Sequence, residues 1–331
     1  MQLLKRAAIT SVGHYVPPDV YDNQYFEKYL DTNDQWIRDR TGIRERRYLK
    51  EGATSDMALI AARTCLDRRG LSPDELDCII VATVTPDMPF PATANILQGK
   101  LGATRAWGFD MNAACSSFLY ALSVGARFIE TGACRNVLVV GADKMTAIVD
   151  YDDRNTCILF GDAAGVVLLE PIEDESVGIM DFSLKVDPAG VPFLYQTAGG
   201  SLRPASHETV DERLHFIRQE GKTVFKAAVP GMADAASSIL QRNDMKPEDV
   251  RWLVPHQANL RIISATAEWM GLPMEQVMVN IDRYGNTTSA TLPLCLSEWW
   301  EKGELRKGDN VVLVTFGAGY TYGGALVRWA Y

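Results

Sequence analysis

The sequence predicts an α/β protein assembled from two copies of one unit. Three observations carry this: short β-branched runs that are apolar throughout, helical stretches between them, and a set of matches that recurs at a single offset. Runs that do not alternate in polarity belong to strands buried on both faces of a parallel or mixed sheet. Strands alternating with helices imply α/β architecture.

The apolar runs cover residues 78–83, 136–141, 251–255 and 310–315. After Cys115, the residues Phe118, Ala121, Leu122, Gly125, Phe128 and Ile129 share one face at helical spacing, and Thr131-Gly132 closes the pattern. Residues 223–242, 259–270 and 289–300 read as helices in the same way. Ser72-Pro73-Asp74-Glu75 before the first run resembles Lys246-Pro247-Glu248-Asp249 before the third, 174 residues on (247 minus 73). Asn136-Val137 matches Asn310-Val311, and Asn112 falls opposite Asn286, both at that offset. Three independent matches indicate a duplicated unit. The boundary falls at the acidic turn 171–176, giving an N-terminal half, 1–175, and a C-terminal half, 176–331. Residues 181–220, rich in glycine, proline and polar side chains, predict a long excursion with little regular structure.

With 331 residues, 47% hydrophobic and 23% charged, the composition is that of an ordinary globular protein. A net charge of −9 argues against a nucleic-acid partner, which needs a dense positive surface. No apolar run reaches the roughly 18 residues of a membrane span, and Lys5 and Arg6 stand where a secretory signal has its apolar core. The expectation is a soluble, cytoplasmic protein with no membrane partner. Six scattered cysteines without a CxxC pair, and four histidines without ligand-like spacing, argue against disulfides and a zinc site.

In doubly wound sheets, ligands collect where strands end and helices begin. Four such segments carry reactive or flexible groups. Residues 109–118 place Cys115 at or near a helix start, where free N–H groups and the dipole favour a thiolate. Cys115 is a candidate nucleophile or, on the plainer reading, a small buried hydrophobe. His256 follows the run 251–255 directly and is either structural or placed to face the sheet end of Cys115; His14, His207 and His215 lie in polar or irregular stretches. Asn286, in the counterpart of the cysteine segment, is compatible with both a turn and a catalytic role. The small residues of 315–324 would let backbone N–H groups approach an oxyanion, and GxGxxG is absent there. The companion segment 160–165 reads as a structural turn.

Several stretches together resemble the β-ketoacyl-acyl carrier protein synthase III family of the thiolase superfamily, the condensing enzymes that start bacterial fatty acid synthesis. They are Asp34-Gln35-Trp36-Ile37 with residues 40–46, the cysteine segment, Val254-Pro255-His256-Gln257-Ala258-Asn259, Gly285-Asn286-Thr287 and Phe316-Gly317-Ala318-Gly319. The resemblance spans nearly the whole chain. It implies a five-layered αβαβα sandwich of two duplicated halves that forms a homodimer. It also implies a Cys115-His256-Asn286 triad, an oxyanion site from the backbone N–H groups of Cys115 and Ala318, acyl-CoA and malonyl-acyl carrier protein as substrates, and no metal or organic cofactor.

Under that resemblance, Trp36 and Arg154 sandwich the CoA adenine, Arg40 meets CoA phosphates, and Asn259 and Gly221 border the pantetheine arm. Phe90 reaches across the dimer to the floor of the acyl pocket. An asparagine in place of the second histidine of elongating synthases marks the initiating branch, and the second reactive cysteine of thiolases is missing from residues 316–322. Departures are Ala318 for glycine, Ser117 where glycine is common and could crowd the acyl channel, and Glu268 and Trp269 where basic residues dock the carrier. Carrier docking would then rest on Lys222, Lys226, Arg251 and Arg261. A specialised condensing enzyme or acyltransferase of secondary metabolism is the alternative reading. A non-catalytic acyl-CoA-binding relative is disfavoured by the complete triad.

Overall fold

In the computed structural model, which describes residues 5–331, the main strands fall into two sheets. Residues 1–4, part of the amino-terminal stretch read above, lie outside the described residues. The first sheet runs, edge to edge, Arg6–Tyr15, Ala163–Ile172, Val137–Asp143, Cys78–Ala82 and Trp107–Met111. The second runs Gly178–Val186, Thr321–Arg328, Asn310–Gly317 and Trp252–Pro255. Cys78–Ala82 and Val137–Asp143 are buried at every position, as strands covered on both faces require.

Helices cover both outer faces and fill the space between the sheets. Phe118, Leu122 and Ile129 of the helix Ser117–Glu130 meet Leu292, Cys295 and Leu296 of the helix Thr291–Glu301 in one core, between Val139 and Val167 of the first sheet and Val254 and Leu313 of the second. Thr54–Arg69 and Thr93–Leu101 cover the other face of the first sheet; Gly221–Arg242 and Leu260–Trp269 cover that of the second. The result is an αβαβα sandwich. Each large aliphatic side chain buried here contributes roughly 1.5–3 kcal/mol.

The 174-residue offset is visible bond by bond. Cys78 pairs with Val137, and Trp252 with Val311, in parallel ladders of the same register. Asp77 N–H donates to the Asn136 carbonyl, and Arg251 N–H to the Asn310 carbonyl, at 3.0 and 2.9 Å. The Asn136 side chain donates to the Glu75 carbonyl, and the Asn310 side chain to the Asp249 carbonyl. The repeated asparagine therefore does one job in both halves, tying the single-turn helix before the first parallel strand to the start of the second.

Two departures from the sequence reading stand out. Residues 181–186 belong to the edge strand Gly178–Val186, whose partly exposed face dilutes its apolar pattern; the rest of the excursion carries the short helix His207–Asp211 and a two-stranded ribbon, Leu194–Tyr195 with Arg218–Gln219. The offset also puts the short helix Ile281–Tyr284 where the first sheet has its edge strand Trp107–Met111, so the second sheet has four strands. Among the described residues no helix is long and apolar enough to cross a membrane.

Candidate active site

The strand Trp107–Met111 leads into a tight turn that delivers Cys115 one residue before the cap of the helix Ser117–Glu130. Asn112 Oδ1 accepts the Ala114 N–H at 3.0 Å, Ala114 adopts φ 52°, and the Ser117 hydroxyl accepts the Ala113 N–H and donates to the Ala114 carbonyl. Gly317, at the end of its strand, packs so closely that a Cβ there would stand 2.7 Å from the Cys115 nitrogen. A glycine is required for that approach.

The position of Cys115 is as expected, but its protonation is not. Burial pushes the thiol up to about 12, and the Asp143 carboxylate acts in the same direction. The residue is half-buried and faces the cavity. Cys115 rests as a thiol. Ser117 also departs from expectation: it is fully buried and spends its hydroxyl on the turn, leaving the channel uncrowded.

His256 follows the strand Trp252–Pro255, and its N–H donates to the Val314 carbonyl at 2.8 Å. Its Nδ1 lies 2.8 Å from Thr291 Oγ1, which leaves Nε2 for the cavity. Burial lowers its pKa to about 3, so the ring is neutral at physiological pH. Gln257, fully buried, holds the loop from behind: its Nε2 donates to the Pro255 and Met278 carbonyls while its Oε1 accepts the Asn280 and Ile281 N–H groups.

Asn286 comes from the turn after Ile281–Tyr284. Its N–H donates to the Leu159 carbonyl and its carbonyl accepts the Gly161 N–H, so the segment 160–165, expected to be a structural turn, is instead a bridge at Phe160 that anchors Asn286 and leads into the strand Ala163–Ile172. Asn286 Oδ1 accepts the Thr288 N–H at 2.9 Å. That bond fixes the amide orientation and leaves Nδ2 as the free donor. Asp143 joins the halves at this point, accepting from Thr83, Thr85 and the backbone N–H of Ser289.

Cys115, His256, Asn286 and Ala318 line one cavity of about 920 Å³, together with Trp36, Arg40, Gly221 and Asn259. Leu194, Tyr195 and Ile217 of the irregular excursion form part of its wall. Every charged residue in the lining is basic: Arg40, Lys222, Lys226 and Arg261, on a chain of net charge −9. Arg251 lies apart from them, over Trp252 and near Glu304. Asn259 caps the helix Leu260–Trp269 and donates to the Arg40 carbonyl at 2.9 Å, so its amide ties the two halves.

Two expected residues lie outside this lining. The Arg154 guanidinium sits 5.0 Å from the centre of the Trp36 ring, with Arg40 at 5.1 Å, which leaves no room for a base between Arg154 and Trp36. Arg154 is held there by the Asp31 carbonyl. Phe90 is 85% exposed and does not touch the cavity of its own chain. Sequence reasoning missed Thr288, Thr291, Gln257 and Asp143. The 174-residue offset would have flagged the first two, opposite Ala114 and Ser117.

Comparison with known proteins places the chain among relatives of known family. Residues 109–188 match the family described as 3-oxoacyl-[acyl-carrier-protein] synthase III, and residues 240–329 match its C-terminal family. The β-ketoacyl-[acyl-carrier-protein] synthase III of Chlorobaculum tepidum is 57% identical over 98% of this chain and 99% of its own, and that of Koribacter versatilis is 51% identical over the full length of both. The crystal structure of 3-oxoacyl-[acyl-carrier-protein] synthase III from Aquifex aeolicus superposes with a TM-score of 0.91 at 40% identity, covering 98% of this chain and 100% of that one. The priming β-ketosynthase of the R1128 polyketide pathway also scores 0.91, at 32% identity over 100% and 99%. Shared sequence over the whole length and a shared fold lead to one conclusion: this chain belongs to the 3-oxoacyl-acyl-carrier-protein synthase III family.

Proposed function

We propose that the protein catalyses the decarboxylative condensation of an acyl-CoA starter with malonyl-acyl carrier protein, giving 3-oxoacyl-acyl carrier protein, CoA and carbon dioxide. The observation that carries this reading is the meeting of Cys115, His256 and Asn286, from three separate segments, in one cavity with an all-basic charged rim. Such a rim suits phosphorylated and carboxylated substrates. Cys115 attacks the starter thioester, and the backbone N–H groups of Cys115 and Ala318 hold the oxyanion. CoA leaves and the malonyl thioester enters. Donors at His256 Nε2 and Asn286 Nδ2 then stabilise the enolate oxygen as carbon dioxide departs, and the enolate carbon takes the acyl group from Cys115.

Trp36, Arg40, Gly221 and Asn259 fit the CoA-binding roles, with Arg154 completing the adenine site after it moves. The open edge strand Trp107–Met111 and exposed Phe90 fit a homodimer in which Phe90 closes the partner's acyl pocket. A cytoplasmic location agrees with the use of CoA thioesters. Relatives named β-ketoacyl-[acyl-carrier-protein] synthase III at 51–57% identity favour the initiating synthase over the alternative of secondary metabolism.

The test is a matrix of acyl-CoA starters against malonyl-acyl carrier protein and malonyl-CoA. Product with malonyl-acyl carrier protein and a Cys115-bound acyl intermediate are expected. Turnover confined to malonyl-CoA would transfer the protein to the specialised class, and turnover by Cys115→Ser with no acyl-enzyme would end the reading.

A further inference from the structure

Thr291 begins the helix behind His256, and its hydroxyl touches two groups: His256 Nδ1 at 2.8 Å and the Thr288 carbonyl at 3.1 Å. A hydroxyl has one hydrogen to give. Given to Nδ1, it would leave the carbonyl contact without a hydrogen. Given to the carbonyl, it makes Nδ1 the donor, and both contacts become hydrogen bonds in a single chain from Nδ1–H through Oγ1–H to the carbonyl. Thr288, Thr291 and His256 are all buried, where an unmade hydrogen bond is costly.

We propose that Thr291 is a positioning residue that fixes the tautomer of His256, keeping the ring proton on Nδ1 and presenting bare Nε2 to the cavity as a proton acceptor for Cys115. This rests on the reading of Cys115 as the acyl acceptor. It supplies what that reading lacks, because Cys115 rests as a thiol and its proton must go somewhere when sulfur attacks.

The steps balance. As Cys115 Sγ bonds to the thioester carbon, its proton passes to His256 Nε2; as the tetrahedral intermediate collapses, Nε2 hands it to the departing CoA sulfur, which leaves as a thiol. His256 returns to its neutral form. It takes a second proton, from solvent, when the malonyl carboxylate brings in the counter-charge that a buried imidazolium needs. Nε2–H then donates to the malonyl thioester oxygen while the carbon–carboxylate bond breaks. When condensation expels the Cys115 thiolate, that proton goes to sulfur and the resting state is restored.

The tautomer is directly measurable. In ¹⁵N spectra of histidine-labelled enzyme, with the His256 signal identified by its loss in His256→Ala, a protonated Nδ1 and a bare Nε2 are expected. Thr291→Val keeps the shape and removes the hydroxyl. It is expected to shift the ring toward the Nε2–H form and to slow acyl transfer from acyl-CoA to Cys115, followed by protein mass, at least about tenfold; Thr291→Ser should restore both. A protonated Nε2 in the free wild-type enzyme overturns the proposal, as does a Thr291→Val protein with unchanged spectrum and acylation rate. Should Thr291→Val fail to fold, the wild-type spectrum decides alone. A wild-type protein with the expected spectrum that never accepts an acyl group would sink the condensing-enzyme reading and leave the tautomer assignment standing.

Discussion

The turns at residues 112–117 and 286–291 have the same backbone and different work. Each opens with an asparagine whose Oδ1 accepts the N–H two residues on, and each then places a residue other than glycine at positive φ, Ala114 at 52° and Thr288 at 53°. Each ends with a hydroxyl donating three residues back, Ser117 to Ala114 and Thr291 to Thr288. Between them stand Cys115, open to the cavity, and Ser289, which is buried and donates its backbone N–H to Asp143. The contrast teaches that the turn is a scaffold inherited by both halves. The copies differ in which residue faces the cavity and in what the closing hydroxyl touches: a backbone N–H for Ser117, an imidazole for Thr291.

The largest effect should come from moving the nucleophile between copies. Cys115→Ser is expected to lower condensation by about 10³-fold or more, and adding Ser289→Cys should restore nothing, because residue 289 faces Asp143; acylation of residue 289, seen by mass, would break the comparison. Next in size is the asparagine pair. Asn286→Ala should cut malonyl decarboxylation by about 10²-fold while leaving acylation of Cys115 nearly intact. Asn112→Ala should spare both half-reactions and cost about 1 kcal/mol of stability through the loosened turn. Equal losses in the two variants would erase the distinction between scaffold and donor.

A smaller effect concerns acid stability. Burial holds the His256 pKa near 3, below its ordinary 6.5, so the unfolded chain gains protons first as pH falls. Its contribution is fully present above pH 6.5 and lost toward pH 3, on the order of 5 kcal/mol. Denaturant titrations of His256→Gln should show a shallower decline over that window than wild type, and an unchanged slope would contradict neutral burial. Smallest in thermodynamic terms is alkylation: iodoacetamide should modify Cys115 ahead of the five buried cysteines, and prior labelling of Cys65 or Cys295 would contradict the cavity.

Much of this was legible in the sequence, and for identifiable reasons. Strands such as Cys78–Ala82, buried on both faces, announce themselves as unbroken apolar runs, whereas Gly178–Val186 lies at an edge with one face partly exposed and reads as loop. Cys115, His256 and Asn286 stand at strand or turn ends, where spacing and residue type point to them. Thr291 was hidden because a threonine at a helix start has an ordinary capping explanation, and only the fold brings it to His256. The state of Cys115 was misread because a helix start is a local feature, while burial and Asp143 arrive from elsewhere in the chain.

The covalent join between the halves has a consequence for how such a site can arise. Two separate half-length chains related by symmetry would have to carry identical residues at both turns, so neither could hold a cysteine at one and a serine at the other. Fusion into a single polypeptide removes that constraint. Mutation can then alter one turn without altering its twin, and an asymmetric chemistry with one donor side and one acceptor side becomes reachable from a symmetric ancestor.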